Sequence, residues 1–600
     1  MTSVYDTAAA YLAIEVNEQC KAEIEDLISS KNEITLQKVL CSRLAFGTAG
    51  LRGPMGAGYC RMNDLVIIQT SQGLAKYLEK MFGAEAARAR GVVIGYDHRR
   101  FGSLSSEGFA RVSSAVFLSL GFKVYCLEGY VPTPFVAYGV LKRNCAAGIM
   151  VTASHNPKRD NGFKVYWDNG SQIIPPHDVG IASCIDDNLT PWQRYEYSDK
   201  SKILSNPLAE DVTEAIANEY FASIKSLCRH GEVGGANGSN KVSLVYTAMH
   251  GVGHAWIKRA FEIFGHAPVI AVPSQAFPDP EFSTVDFPNP EEKGALDEAM
   301  RFAASRDATL IVANDPDADR LAVAERRGQG GEWHVLSGNE IGALLGYWQI
   351  VKHRERGSGG AAAMLASVVS SRMLKKIATT EGLQYCDTLT GFKWLGNKAS
   401  ELKAQGVQVL LSYEEALGFC VGDVIFDKDG VSAAAVFVEL VACLPQLGCS
   451  SVLGLLQQLS ETYGDFVSYN SYVISHDPKV TDAIFDRIRN GGPEGSYWTQ
   501  CAGQKIECIK DITRGYDSSS TDLRSAMPAT PEAHMIMFEF ANGCNVTLRT
   551  SGTEPKIKFY TEICSLGEKD RAAVAAELRA FVDDVVEEML QPSKLGLARP

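Results

Sequence analysis

One hydrophobic pattern recurs three times before residue 390. Val92-Val93-Ile94-Gly95-Tyr96-Asp97 reads as a short apolar strand, a helical stretch follows and ends near Leu120, Gly121 comes next, and Lys123-Val124-Tyr125-Cys126 forms a second strand. The pattern returns as a strand over 242–246, a helix ending near Phe264, Gly265 and a strand over 268–272. It returns again as a strand over 362–368, a helix over about 371–380, Gly382 and a strand over 383–386. A glycine just past the last helical turn tolerates positive φ and stops the helix. Strand–helix–strand units of this kind pair in parallel and build α/β layers. Three similar units predict three related α/β domains.

The remainder differs. Strands are predicted over 471–475, 506–512, 534–541, 546–550 and 556–563, with helices over 481–489 and 568–590. In the second helix Val574, Leu578, Phe581, Val585 and Met589 recur at helical spacing and give one apolar face. Strands grouped together, with helices packed on one side, describe an α+β domain. Linkers are expected near Ser205-Asn206-Pro207, over 328–331 and over 462–465, which divides the chain into 1–206, 207–336, 337–465 and 466–600.

Composition narrows the function classes. The net charge of −13 argues against a sequence-independent grip on nucleic acid, so an anionic ligand needs locally gathered positive charge. Fifteen scattered cysteines without a CxxC pair read as reduced thiols. The N-terminal stretch carries Asp6 and Glu15 before its first basic residue, Lys21, which fits neither a secretory nor a mitochondrial presequence. Ser593-Lys594-Leu595 spells a peroxisomal tripeptide but is not terminal. The most apolar stretch, 432–447, contains Glu439 and reads as a buried core helix rather than a membrane span. A cytosolic protein without membrane partners is expected.

Four loops carry candidate chemistry. Val151-Thr152-Ala153-Ser154-His155-Asn156-Pro157 follows the apolar run 146–151, and Asn-Pro turns the chain directly after the serine. A hydroxyl nucleophile needs a base or cation nearby; His155 and Lys164 are candidates, Lys164 being brought close by a hairpin signal at Asn161-Gly162. The alternative is a polar turn with a capping serine. Asp315-Pro316-Asp317-Ala318-Asp319-Arg320 follows the buried run 308–313, and three carboxylates at alternate positions can converge on a hard cation such as Mg²⁺. A calcium EF-hand is excluded, because Arg320 and Arg326 stand where it needs Gly and Glu. An aspartate nucleophile and a solvated acidic turn remain open. Ser412-Tyr413-Glu414-Glu415-Ala416-Leu417-Gly418-Phe419, preceded by Thr390-Gly391-Phe392-Lys393, offers a carboxylate beside a glycine turn that can accept sugar hydroxyls; a solvated Glu pair is the alternative. Arg549-Thr550-Ser551-Gly552-Thr553-Glu554-Pro555-Lys556 offers backbone N–H groups, hydroxyls and a bidentate guanidinium to a phosphate, or else forms a plain polar hairpin.

Together the loops supply a nucleophile, a metal site, a sugar-hydroxyl site and a separate phosphate cradle. A phosphate-removing hydrolase needs one phosphate site; an enzyme with two holds its substrate by both ends. No GxSxG elbow surrounds Ser154, which disfavours a serine esterase.

Gly47-Thr48-Ala49-Gly50-Leu51-Arg52-Gly53, Thr152-Ala153-Ser154-His155-Asn156-Pro157, the Asp315–Arg320 loop, Glu414 to Gly418 and Arg549 to Pro555 resemble, in order, the motifs of the α-D-phosphohexomutase superfamily over about 43–560. Ala416 and Asp427-Lys428-Asp429-Gly430-Val431-Ser432-Ala433 resemble its phosphoglucomutase-2 / phosphopentomutase type, which includes glucose-1,6-bisphosphate synthases. The resemblance implies an α/β fold: three related α/β domains with mixed sheets plus a C-terminal α+β domain, arranged around a central cleft. It implies a phosphosugar mutase that moves phosphate between the 1-position and the 6-position of a hexose or the 5-position of a pentose, through a phosphoserine and a bisphosphate intermediate. Glucose-1,6-bisphosphate synthase and phosphomannomutase are alternatives on the same site, and a metal-dependent phosphatase and a non-catalytic phosphosugar sensor are further ones.

The implied cofactors are Mg²⁺, on Ser154, Asp315, Asp317 and Asp319, and a sugar bisphosphate as primer. Arg52, His155, Lys164 and Lys428 match positions serving transfer or proton movement. Thr48, Arg320, Thr390, Gly391, Glu415, Arg549, Ser551, Gly552, Thr553 and Lys558 match substrate-binding positions. A monomer is expected. One departure stands out: Phe419 occupies a position where related bacterial enzymes often carry His, so no proton role transfers to it and the sugar preference stays open.

Overall fold

The computed structural model describes residues 3–47, 49–229, 242–328, 330–357, 359–531, 533–551, 555–565 and 570–600. It resolves into two compact units, one of residues 1–367 with 381–452 and one of 368–380 with 453–600.

The first unit contains three mixed sheets. The strands of the first are β1 (Gly50–Pro54), β2 (Val92–Tyr96), β5 (Val124–Cys126), β6 (Ala147–Val151), β7 (Asp160–Trp167) and β8 (Ala209–Asp211), in spatial order β1-β7-β6-β2-β5-β8; a small hairpin, β3 (Arg100–Phe101) and β4 (Leu104–Ser105), lies outside it. The second sheet comprises β9 (Leu244–Thr247), β10 (Leu310–Ala313), β11 (Ala322–Arg326) and β12 (Trp333–Val335), ordered β12-β11-β10-β9. The third comprises β13 (Ala362–Ser367), β14 (Gln384–Thr388), β15 (Gln408–Glu414) and β16 (Gly418–Val421), ordered β14-β13-β15-β16. The predicted mixed α/β architecture is present. The first sheet runs past the expected linker at 205–207, since β8 pairs in parallel with β5.

The three sheets share one device. In each, a buried strand that pairs in parallel on one side turns back into an antiparallel neighbour: β6 into β7, β10 into β11, β15 into β16. The Ser154, Asp315–Arg320 and Glu414–Gly418 loops are these three turns. Each contains one non-glycine residue at positive φ: Ser154 at 52°, Ala318 at 53° and Leu417 at 60°. Such backbone costs on the order of 1–3 kcal/mol and persists only where surrounding structure enforces it.

Two local expectations differ from the structure. Asn161-Gly162 is not the hairpin turn; both residues lie inside β7, opposite Gly53 and Arg52 of β1. Gly162 is needed for close approach, because a Cβ there would stand 2.5 Å from the Thr152 carbonyl oxygen. The run 268–272 forms no strand and joins the second sheet through one bridge, Tyr246 to Ala271. Pro268 and Pro273 bound it and supply no N–H to extend the pairing.

The helix Gly430–Cys443 is buried along nearly its whole length. Its Glu439 carboxylate is fully covered and accepts from Trp348 Nε1 at 2.8 Å, Lys352 Nζ at 3.1 Å and the Arg229 backbone N–H at 2.5 Å. The expectation of a core helix holds.

The second unit is an antiparallel sheet backed by helices. Its strands are β17 (Asp465–Ser468), β18 (Ser471–Ile474), β19 (Gln500–Cys501), β20 (Gln504–Asp511), β21 (Tyr516–Asp517), β22 (Met535–Phe540), β23 (Asn545–Thr550) and β24 (Lys556–Ser565). The long β24 pairs successively with β18 and β17, so Asp465, expected in a linker, begins a strand. Helices Pro478–Asn490 and Arg571–Leu590 cover the core, with Val582 rather than Phe581 at the centre of the buried face of the second.

Candidate functional site

The serine loop is built on a buried guanidinium. Arg99, three residues beyond β2, has a fully covered side chain. Its Nη1 donates to the carbonyls of Pro157 (2.9 Å) and Asp160 (3.1 Å), and its Nη2 to those of Ser154 (2.5 Å) and Asn156 (2.7 Å). Asp97 neutralises it from 3.3 Å and accepts from Thr152 Oγ1 at 2.6 Å; that same Oγ1 accepts the Ser154 N–H at 2.8 Å. Four carbonyls clamped by one rigid donor fork explain how Ser154 is held at positive φ.

Ser154 Oγ donates to Asp315 Oδ2 at 2.9 Å and lies 3.4 Å from His155 Nδ1. Burial, together with the Arg320 and Arg52 cations, holds the imidazole of His155 well below its ordinary range, so the ring is neutral near pH 7 and can accept a proton. Arg52, on β1, is exposed and donates to Asn156 Oδ1 at 3.1 Å.

Asp315, Asp317 and Asp319 are fully buried, and one oxygen of each lies within 4.8 Å of the others. Three packed acids require compensation. Lys164 Nζ supplies part, at 2.6 Å from Asp317 Oδ2 and 2.9 Å from Asp319 Oδ2, and Lys428 Nζ stands 3.5 Å from Asp319 Oδ2. Thr133 donates to Asp317 through both Oγ1 (2.6 Å, to Oδ2) and its backbone N–H (3.0 Å, to the carbonyl). Burial would raise Asp317, but Lys164 and these hydrogen bonds outweigh it and hold the carboxyl below the ordinary range. Burial and its two acidic neighbours push Asp315 well above that range. Asp317 Oδ1 and Asp319 Oδ1 are buried without a hydrogen-bond partner among the described residues. An all-oxygen donor set with two orphaned carboxylate atoms and an adjacent serine hydroxyl fits a hard divalent cation.

Lys428 is aimed by its neighbours. Asp427, almost wholly buried, lies 3.5 Å from its Nζ and is fixed by Tyr166 (2.6 Å) and Gln172 (3.0 Å). Asp429 caps the helix Gly430–Cys443 and accepts from Tyr220 at 2.7 Å. The Lys428 stem lies over Gly418, where a Cβ would come within 2.5 Å of it. The glycine of the third loop is thus a seat for Lys428. The second and third loops are joined by a bridge from Arg320 to Gly418 and by the Leu321 N–H on the Leu417 carbonyl (3.1 Å).

Arg320 donates through its backbone N–H to Asp315 Oδ1 (3.0 Å), and its Nη1 lies 3.5 Å from Glu291 Oε2. Gly391, at φ 99°, opens the helix Phe392–Ala404, whose Phe392 ring lies 5.3 Å from Lys428 Nζ. Thr390 directly precedes this turn. Glu415 accepts from Ser367 Oγ at 3.0 Å. Phe419 is fully buried and stacks on Tyr413 at 6.2 Å, so it serves the core of the third sheet.

The structure therefore brings Ser154, His155, Arg52, Lys164, Lys428, the three aspartates and Arg320 together, with Thr390, Gly391 and Glu415 on the adjoining loops. In the second unit Arg549 and Lys558 stand opposite each other on β23 and β24, and the Ser551 N–H meets the Lys556 carbonyl at 2.9 Å. Thr48, Gly552 and Thr553 lie outside the described residues. Sequence reasoning missed Asp97, Arg99 and Thr133, and used Asp427 only as part of a motif that marks the type. The available signal for the first two was the charged run Asp97-His98-Arg99-Arg100 directly after a buried strand.

The chain matches the descriptions "Phosphoglucomutase/phosphomannomutase, alpha/beta/alpha domain I" over 43–191, domain II over 218–330 and domain III over 337–463. It is 45% identical over 601 residues to a mouse phosphopentomutase, covering 98% of this chain and 95% of that one. It is 43% identical over 604 residues to a human glucose 1,6-bisphosphate synthase (99% and 95%) and 40% identical over 597 residues to the phosphoribomutase of Saccharomyces cerevisiae (96% and 94%). Among solved structures, the Paramecium phosphoglucomutase pp63/parafusin superposes with TM-score 0.67 at 18% identity, over 93% of this chain and 97% of that one. A phosphoglucomutase/phosphomannomutase family protein from Burkholderia thailandensis does so with TM-score 0.64 at 20% identity, over 93% and 99%.

Proposed function

This chain belongs to the phosphoglucomutase/phosphomannomutase family and is a phosphosugar mutase, and from that premise we propose that Ser154 carries the phosphoryl group and that the preferred substrates are pentose 1- and 5-phosphates. The observation that carries the proposal is the contact of Ser154 Oγ with Asp315, one of three clustered carboxylates compensated by Lys164 and Lys428. The pentose preference rests on similarity to proteins named phosphopentomutase at 44–45% identity and phosphoribomutase at 40–41%.

In the first half-reaction a sugar hydroxyl oxygen attacks the phosphorus of phosphoserine, the P–Oγ bond breaks, the sugar becomes a bisphosphate, and the proton given up by the sugar hydroxyl ends on Ser154 Oγ. In the second, the regenerated Ser154 hydroxyl attacks the other phosphate of that bisphosphate, restoring phosphoserine and releasing the isomeric monophosphate. Phosphoryl transfer needs positioning and charge neutralisation more than covalent participation. Asp315, Asp317, Asp319 and the Ser154 oxygen would hold Mg²⁺, which neutralises charge on the transferring group when bound. Lys164 and Lys428 add positive charge beside it, and neutral His155 takes the proton from the attacking Ser154 hydroxyl and returns it to the leaving sugar oxygen. A sugar bisphosphate primes the cycle by phosphorylating Ser154.

The test is a panel of ribose, deoxyribose, glucose and mannose 1-phosphates with Mg²⁺ and catalytic bisphosphate, following isomer and inorganic phosphate together. Rapid conversion of the pentose phosphates, with a phosphopeptide mapped to Ser154, is expected. Phosphate release without isomer would overturn the phosphoserine shuttle, and faster hexose conversion would overturn the pentose preference. A second reading, bisphosphate synthesis, is favoured by the 43% identity to glucose 1,6-bisphosphate synthases. It predicts net accumulation of bisphosphate from a separate phosphoryl donor.

A further inference from the structure

Between the short turn Pro273–Gln275 and the helix Asp297–Ser305, the second domain sends residues 276–296 across the serine loop of the first. Long ordered segments without secondary structure of their own are commonly functional. This one is braced from within the second domain: His250 Nε2 lies 2.7 Å from Thr284 Oγ1, and Gln275 Nε2 donates to the same oxygen at 2.9 Å. Its tip touches the serine loop at two places and the Arg99 side chain that supports the loop at a third. Glu281 pairs with Lys158 at 2.8 Å, the Phe287 ring lies 6.4 Å from His155, and the Phe282 ring centre lies 5.2 Å from the Arg99 guanidinium carbon. Phe282 is 3% exposed and sits at φ 48°, so the backbone is held in an unfavourable conformation to put that ring where it is.

The edge of the Arg99 guanidinium is committed to the four carbonyls that shape the Ser154 loop. The guanidinium carbon lies over the Phe282 ring, with the His98 ring 5.2 Å from the same phenyl ring. Burial pushes His98 down to about 4, so this wall is an uncharged aromatic one. A cation over the face of an aromatic ring is attracted to it, and the ring shields that side from water. Water reaching Arg99 would compete for its donors and loosen the loop around the serine.

We propose that Phe282 is a positioning residue for phosphoryl transfer: supplied by the second domain, it caps Arg99, and through Arg99 it fixes the serine loop and keeps water from the phosphoserine. The inference rests on the reading of Ser154 as the phosphorylated residue. The reaction it suppresses is attack of water on the phosphoserine phosphorus, which breaks the P–Oγ bond and leaves the serine hydroxyl and inorganic phosphate.

The test loads the full-length enzyme from radiolabelled glucose 1,6-bisphosphate, maps the label, and follows its loss as inorganic phosphate without substrate. Phe282→Leu, which keeps apolar volume and removes the ring face, is compared with Phe282→Tyr, which keeps the face. For Phe282→Leu, kcat falls and label loss accelerates by roughly tenfold each, about the rate equivalent of one cation–π contact, while KM stays near wild type. Phe282→Tyr restores both. In combination with Arg99→Lys, the Leu substitution adds little further loss, because both act through the same contact. A wild-type kcat and label lifetime in Phe282→Leu, or full additivity with Arg99→Lys, would overturn the inference while leaving the phosphoserine reading standing. Label mapped away from Ser154 would overturn both.

Discussion

Ser154 Oγ donates a hydrogen bond to Asp315 Oδ2 at 2.9 Å across 161 residues of chain. The contact joins equivalent turns of two related sheets, and both turns are strained, through Ser154 itself and through Ala318. Strain and chemistry can be separated at this position. Ser154→Ala and Ser154→Gly both abolish turnover, since neither offers an oxygen. They differ in stability: alanine keeps the left-handed cost, whereas glycine relieves it, so Ser154→Gly is the more stable of the two by about 1 kcal/mol. Denaturant titration checks the order, and turnover in either variant would refute the mechanism.

The aspartate cluster makes a prediction that needs no substrate. Its orphaned oxygens and partial compensation by Lys164 and Lys428 leave the metal-free protein with repulsion that a divalent cation removes. Mg²⁺ at about 100 times its Kd should stabilise the wild type by about 2.7 kcal/mol. Thermal melts should shift upward with Mg²⁺ and return with EDTA, along with activity. In Asp319→Asn the Mg²⁺-dependent shift should shrink or vanish. An unchanged shift in that variant would remove Asp319 from the metal site.

How far the site was legible in the sequence follows from what kind of partner each residue has. Ser154, the three aspartates and Glu415 were visible because each lies in a short polar motif directly after a buried run, where a turn exposes chemistry. Arg99 was not, because its partners are backbone carbonyls, which leave no trace in side-chain identity. Thr133 meets Asp317 over 184 residues, and Tyr166 meets Asp427 over 261, distances at which spacing carries no information. Asn161-Gly162 misled for a related reason: the glycine answers to the backbone of a neighbouring strand rather than to a turn. The repeated α/β units were legible because glycine-stopped helices and apolar runs are local, whereas the missing strand at 268–272 turned on the two flanking prolines.

Arg549 and Lys558 face each other on adjacent strands. Two cationic side chains opposite each other on neighbouring strands can grip one anion together, Arg549 bidentately. Adding inorganic phosphate should stabilise the wild type in a melt, and Arg549→Ala should weaken that effect. The same variant should raise KM for the sugar monophosphate by roughly 10–100-fold, the value of charge-assisted hydrogen bonds to one phosphate. Its Mg²⁺ titration should match wild type. Equal losses of metal and monophosphate affinity would argue against a dedicated phosphate cradle in this unit.

Glu439 tests the core helix rather than the chemistry. Burial pushes its carboxyl upward, but the Lys352 ammonium and the N–H donors of Arg229 and Trp348 outweigh it, and its pKa lies below the ordinary value. A depressed carboxyl contributes stability that is present above its unfolded pKa of about 4.3 and is lost as pH falls through the folded value. Glu439→Gln leaves the Lys352 ammonium buried without its counter-charge and should cost about 3–5 kcal/mol near pH 7. The penalty should shrink as pH falls below the unfolded carboxyl value and on through the depressed folded one, where the wild type protonates its own carboxyl. Replacing both partners, Glu439→Leu with Lys352→Met, should cost markedly less than the single change, because no charge is then left stranded. Chemical denaturation of the three proteins across pH measures all of this, and a double variant that costs as much as Glu439→Gln alone near pH 7 would show that packing, not the ion pair, sets the cost.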